Sequence, residues 1–221
     1  MLFFECCCQS VEDAVEAQEG GAGRIELCSR LEVGGVTPSG ELIRQVLTAV
    51  HIPVNILVRP RAGGFVYDDA EAALIINTIL DVKYLGVNGI VCGALTPQGD
   101  VDMPFMRRVM YASSPLEVTF HRAFDECANP QMALEDIISL GCKRLLTSGQ
   151  KQSAPEGARL ISELCAQAGG RIIIMPGAGI KPDNAAALAK LTQASEYHGS
   201  AHGLAGTTDR EVVRAIVNSC V

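Results

Sequence analysis

Eight short runs of strand-forming residues recur along the chain, each followed by a longer amphipathic stretch, and this alternation constrains the fold more than any other feature. The runs are Leu2 to Cys8, Arg24 to Cys28, Val54 to Arg59, Gly89 to Gly93, Glu117 to Arg122, Arg144 to Ser148, Arg171 to Met175 and Glu196 to Ser200. Strands joined by helical crossovers return to the same end of the sheet, so they lie parallel. Eight such units predict an α/β chain closed into a single (β/α)8 barrel of the TIM type, with residues 1–221 as one domain. An open doubly wound sheet is the rival. It is disfavoured by the regular spacing and by the absence of a GxGxxG fingerprint after the first run.

Local signals agree with this division. Ser10, Ser39 and Asp68 stand at helix starts, as does Asp183 after Pro182, and Gly86, Gly141 and Gly169 stand where helices should stop. With 221 residues, 48% of them hydrophobic, the chain can bury one sizeable core without needing a second. The net charge of -7 gives no basic surface for phosphate backbones, so nucleic acid is not an expected partner. No apolar run approaches the roughly 18 residues of a membrane span. Leu2 to Cys8 is short, carries Glu5 and lacks a basic flank, so it does not read as a signal peptide. The expected location is therefore the cytoplasm, with the nine cysteines as free thiols rather than a disulfide framework.

Side chains alternate along a strand, so each run sends one set to the barrel axis and the other to the helices. Apolarity assigns the parity. The inward sets are Phe3, Glu5 and Cys7; Arg24, Glu26 and Cys28; Asn55, Leu57 and Arg59; Glu117, Thr119 and His121; and Glu196, His198 and Ser200. Strands buried on both faces are usually continuous apolar runs, so polar residues on the inward parity require a reason. Cys7, Cys28, Arg59, Arg61, His121, Ser148 and His198 fall at the carboxyl ends, where such barrels keep their active sites, and Glu5 and Glu26 lie one layer deeper. A purely structural alternative makes Arg59, Arg61, Glu5 and Glu26 an ion-pair network filling the mouth.

Several constellations carry chemistry. Arg59-Pro60-Arg61 sets two guanidinium groups two residues apart, suited to clamping a carboxylate or phosphate. Pro176-Gly177-Ala178-Gly179 offers a turn whose backbone N–H groups suit an anion, although glycine is equally expected there for the turn alone. His121 and His198 are candidate acid–base groups together with Glu5 and Glu26, and Arg122 is expected to turn toward Asp125. Cys6, Cys7 and Cys8 alternate in direction and cannot share an ion, whereas Cys7 and Cys28 share a parity on adjacent strands. Two thiolates suit a soft ion such as Cu(I); two buried thiols also serve as small apolar side chains.

These residues resemble the CutC copper-homeostasis family. The resemblance rests on Glu5-Cys6-Cys7, Ser10 to Ala14, Gly23 to Cys28, Gly34 to Ser39, Arg59-Pro60-Arg61, Val118 to Asp125, Leu146 to Gly149 and Glu196 to Ser200, over nearly the whole chain. It implies a TIM-type barrel and a role in copper homeostasis, with copper binding at the positions of Cys7 and Cys28. Members often carry a longer segment between the eighth strand and the last helix; only Ala201 to Thr208 intervenes here, which implies a more open mouth. Three roles stay open. They are Cu(I) binding by Cys7 and Cys28, catalysis on a small anionic metabolite held by Arg59, Arg61, Ser148, Gly177 and Gly179, and a scaffold for partners or for a homo-oligomer such as a dimer.

Overall fold

The computed structural model describes residues 1–219 and arranges eight parallel strands in a ring. They are β1 (Phe3–Cys8), β2 (Arg24–Leu27), β3 (Val54–Leu57), β4 (Gly89–Cys92), β5 (Glu117–Phe120), β6 (Arg144–Thr147), β7 (Ile173–Pro176) and β8 (Glu196–Gly199). Each strand pairs with its neighbour in sequence, β1 also pairs with β8, and a parallel bridge from Gly177 to His198 joins β7 to β8. The helices are α1 (Val11–Gly20), α2 (Gly40–Ala49), α3 (Asp69–Val82), α4 (Met103–Ser113), α5 (Pro130–Leu140), α6 (Ala158–Ala168), α7 (Ala185–Thr192) and α8 (Arg210–Val217). The expected α/β TIM-type barrel is therefore the observed one.

The helix boundaries follow their caps. Ser10 accepts from the backbone N–H of Asp13 and Ser39 from that of Leu42, while Asp68 and Glu71 form a reciprocal capping box. Gly141 and Gly169 end α5 and α6 in the left-handed conformation, whereas α3 stops at Val82, before Gly86. Other boundaries shift. The helix placed at Asp183 begins at Ala185, because the Asn184 side chain accepts from the Lys181 N–H and donates to the Gly179 carbonyl, holding the preceding segment as a turn. The seventh strand begins at Ile173 rather than Arg171, whose guanidinium turns outward to Glu135.

The main core lies between the sheet and the helix ring, where the outward strand residues Phe4, Ile25, Ile56, Ile90 and Phe120 are fully buried. Each such side chain contributes about 1.5–3 kcal/mol on burial. Inside the barrel the packing divides along the axis. Toward the amino ends, Arg24 bridges Glu5 and Glu196, and Arg144 bridges Glu196 and Glu117. Toward the carboxyl ends, Cys7, Cys28, Leu57 and Val91 form a separate small cluster. The interior ion-pair network is thus built by Arg24 and Arg144, not by Arg59 and Arg61. The register explains the correction: Glu5 lies opposite Arg24 on β2, whereas Arg59 lies beyond the end of β3.

Candidate functional site

A cavity of about 800 Å³ opens at the carboxyl ends of the strands, lined at its base by Cys7, Glu26, Cys28 and His198 and on its wall by Arg59 and His121. β1 and β2 place the thiols, because Cys7 lies opposite Glu26 and Cys28 follows two residues later on the same face. The Cys7 and Cys28 Sγ atoms are 3.6 Å apart, and Cys7 Sγ is 3.5 Å from Glu26 Oε1. From β8, His198 Nε2 lies 4.0 Å from the same Glu26 oxygen. Donor atoms of Cys7, Glu26 and His198 all fall within 4.8 Å of one another, close enough for one ion to touch all three.

The layer beneath orients this group. His198 Nδ1 lies 2.9 Å from Glu5 Oε1, and Glu5 Oε2 accepts from Arg24 and from Asn55 Nδ2 at 3.2 Å. Burial would raise the Glu5 pKa, but the His198 hydrogen bond and the Arg24 charge outweigh it and hold the carboxyl at about 2. An ionised Glu5 fixes a proton on Nδ1 of His198 and leaves Nε2 facing Glu26 and Cys7. Burial likewise lowers the His198 pKa, and the Glu26 charge and Glu5 hydrogen bond more than reverse it. Glu26 shifts the other way: burial raises it, and one of its oxygens, Oε2, is buried without a partner. The Cys7 thiol is pushed well up by its contact with Cys28, by burial and by Glu26.

The clamp suggested by Arg59-Pro60-Arg61 does not form, because the two guanidinium groups turn apart. Arg61 leaves the cavity and binds Glu71 on α3 in a two-point contact, with further bonds to the Gly64 and Val66 carbonyls. Arg59 stays, 6% exposed, and spends Nη1 on the carbonyls of Val33, Gly34 and Gly35 and Nη2 on that of Gly63. The positive φ of Gly34 and Gly35 turns that loop toward the guanidinium, and a Cβ on Gly35 would meet Leu57 Cδ2 at 2.7 Å. The alternation that predicted a shared side for the two arginines lapses because the strand ends at Leu57.

The other proposed positions separate as well. Ser148 is sealed beneath the surface, accepting from Arg122 and donating to Asp125 or the Lys151 carbonyl. Asp125 is the hub here, receiving Arg122, Thr147 Oγ1 and the backbone N–H groups of Ser148 and Gln150. Gly177 packs where a Cβ would lie 2.5 Å from Leu146, so its smallness serves barrel closure, while Gly179 lines the cavity at φ 76°. His121 lines the cavity with Nδ1 accepting from the Ala123 N–H at 3.2 Å. Asn55 and Arg24 support Glu5 beneath the cavity, and Phe65 lines it. The first two were legible on the inward parity, whereas Phe65 lies in a connection without periodicity.

The short segment after β8 folds back on the barrel. The Thr208 N–H reaches Asp13 and its hydroxyl reaches the Ser200 carbonyl.

Comparison with known proteins agrees with the resemblance. The CutC family profile matches residues 2–203. A Parabacteroides distasonis protein of that name is 47% identical over 201 residues, spanning 90% of this chain and 83% of its own length. A Pasteurella multocida namesake is 48% identical over 199 residues, spanning 90% and 82%. The solved structure of a Streptococcus agalactiae CutC, provisionally assigned to copper homeostasis, is similar with a TM-score of 0.86 at 30% identity, covering 90% of this chain and 99% of that one. Phosphoribosyl anthranilate isomerase from Thermotoga maritima, with a TM-score of 0.67 at 12% identity and coverage of 100% and 98%, shares the fold alone.

Proposed function

This chain belongs to the CutC family, and from that premise we propose that it binds Cu(I) through Cys7 and Cys28 as a cytoplasmic copper-homeostasis protein. The supporting observation is the 3.6 Å approach of the two thiols beside Glu26 and His198. Soft sulfur donors favour Cu(I), an imidazole nitrogen is a common additional ligand, and the Glu26 carboxylate beside Cys7 supplies negative charge next to the cation. When bound, copper supplies a soft cation that displaces thiol protons. Cys7 and Cys28 would hold it, Glu26 and His198 Nε2 would flank it on the Cys7 side, and Glu5 keeps that imidazole oriented. The cytoplasmic assignment fits the described cysteines, all of which are free thiols. Anaerobic Cu(I) titration of the wild type and of a Cys7→Ser, Cys28→Ser double variant tests this reading. Loss of tight binding in the variant supports it, and equal stoichiometry and affinity overturn it.

The cavity favours a second reading. About 800 Å³ is far more space than one ion needs and lies in the range of small-molecule sites. Side chains from β1, β2 and β8 converge there with others from beyond β3 and β5, an arrangement suited to turnover of a small anionic metabolite. Mass spectrometry of the ligand retained through purification checks this reading; recovery of metal alone from freshly purified protein counts against it.

A further inference from the structure

The cavity lining holds two buried nitrogen donors that no described residue satisfies. Arg59 Nε and His121 Nε2 are both closed to solvent and both without a hydrogen-bond partner. A buried polar group left so costs roughly 1–3 kcal/mol, more when charged. Arg59 also lacks a counter-ion: among the described residues its side chain meets four backbone carbonyls and no carboxylate. The other buried arginines of the barrel, Arg24 and Arg144, each carry two carboxylates. Arg59 is therefore the exception, and it is the one that lines the cavity.

His121 supplies the second donor. Because Nδ1 accepts from the Ala123 N–H, the proton of the neutral ring sits on Nε2. Burial and the Arg59 charge keep the ring neutral by lowering its pKa to about 3. Phe65 ties the two groups together, its ring centroid 4.9 Å from that of His121 and 4.9 Å from the Arg59 Cζ. Phe65 itself lines the cavity beside them.

We propose that Arg59 Nε and His121 Nε2 form an anion subsite for a small monocarboxylate, one oxygen accepting from each. One positive charge and two N–H groups beside an apolar ring match a planar group with two oxygens and a single charge. A phosphate dianion fits less well. Both Arg59 Nη atoms are already committed and His121 is neutral, and of the other cations lining the cavity Arg122 is paired with Asp125 and Lys181 is exposed. The inference deepens the second reading above by naming its ligand class, and it needs no copper.

The test uses metal-free, reduced protein labelled with 15N-histidine and titrated separately with benzoate, with neutral benzamide and with inorganic phosphate. Benzoate is expected to shift the His121 Nε2 resonance saturably, with at least tenfold weaker binding of benzamide and phosphate. Calorimetric titration should show at least tenfold weaker benzoate binding in Arg59→Gln and in His121→Phe; the second variant leaves the carbonyl cradle of Arg59 intact. Unchanged benzoate binding in a folded His121→Phe variant, or benzamide binding as tightly as benzoate, overturns the subsite. Phosphate binding as tightly as benzoate overturns the carboxylate class while leaving the second reading standing. Failure of all three probes to bind removes the subsite, and a metabolite retained through purification then decides the second reading separately.

Discussion

Glu5 holds His198 from the layer beneath the cavity, Oε1 to Nδ1 at 2.9 Å across the paired strands β1 and β8. The contact gives the two ring nitrogens different roles, with Nδ1 anchored and Nε2 presented to Cys7 and Glu26. A carboxylate behind a ligating imidazole both orients it and raises its basicity.

Glu5→Gln should therefore weaken Cu(I) binding without touching a thiol. An anaerobic competition titration against a chromophoric chelator is expected to show roughly 10–100-fold lower affinity, the usual effect of removing such a support. The same change breaks the buried contact with Arg24, so urea unfolding should report a stability loss of about 3–5 kcal/mol.

Copper affinity should rise with pH. Contact with Cys28, burial and the Glu26 charge hold the Cys7 thiol protonated well above its ordinary range, so binding must expel its proton. Each proton released adds about tenfold in affinity per pH unit below the thiol pKa. Titrations between pH 6 and 8 on the scale of those roughly tenfold steps check this, and a flat profile would argue for ligands other than the thiols.

His121 should impose a pH dependence on stability. Its folded pKa lies near 3, below its ordinary value of 6.5, because of burial first and the Arg59 charge second. Between those values the unfolded chain binds a proton that the native state refuses. The stabilisation is complete above the ordinary value, is lost as pH falls toward 3, and levels off below it. The slope is at most about 1.4 kcal/mol per pH unit. As pH falls across this window, wild type should lose urea stability relative to His121→Phe; parallel curves would refute a neutral buried ring.

Asp125→Ala should loosen the β6–α6 connection. Asp125 accepts from Thr147, from the backbone of Ser148 and Gln150, and from Arg122 at 2.8 Å. Removing a carboxylate with several charge-assisted bonds is expected to cost roughly 3 kcal/mol or more. Hydrogen exchange should localise the loss to the backbone N–H groups of Ser148 and Gln150.

The sequence by itself determined the barrel and the base of the cavity. Two-residue periodicity within a strand is a property of the extended backbone, so Cys7, Glu26, Cys28 and His198 could be assigned one face from apolarity alone. Parallel pairing then made neighbours of β1, β2 and β8. Tertiary structure alone decided what lies past the strand ends, where no period constrains the side chains. Arg59 and Arg61 share a parity in sequence, yet one is drawn into the carbonyls of residues 33–35 and the other onto α3. Register, too, decided that Glu5 answers to Arg24 rather than Arg59, because Coulomb partners inside a barrel are set by the stagger of the strands. Phe65 rests against Arg59 and His121 in the β3–α3 connection, and its contact with His121 joins residues distant in sequence that no local pattern encodes.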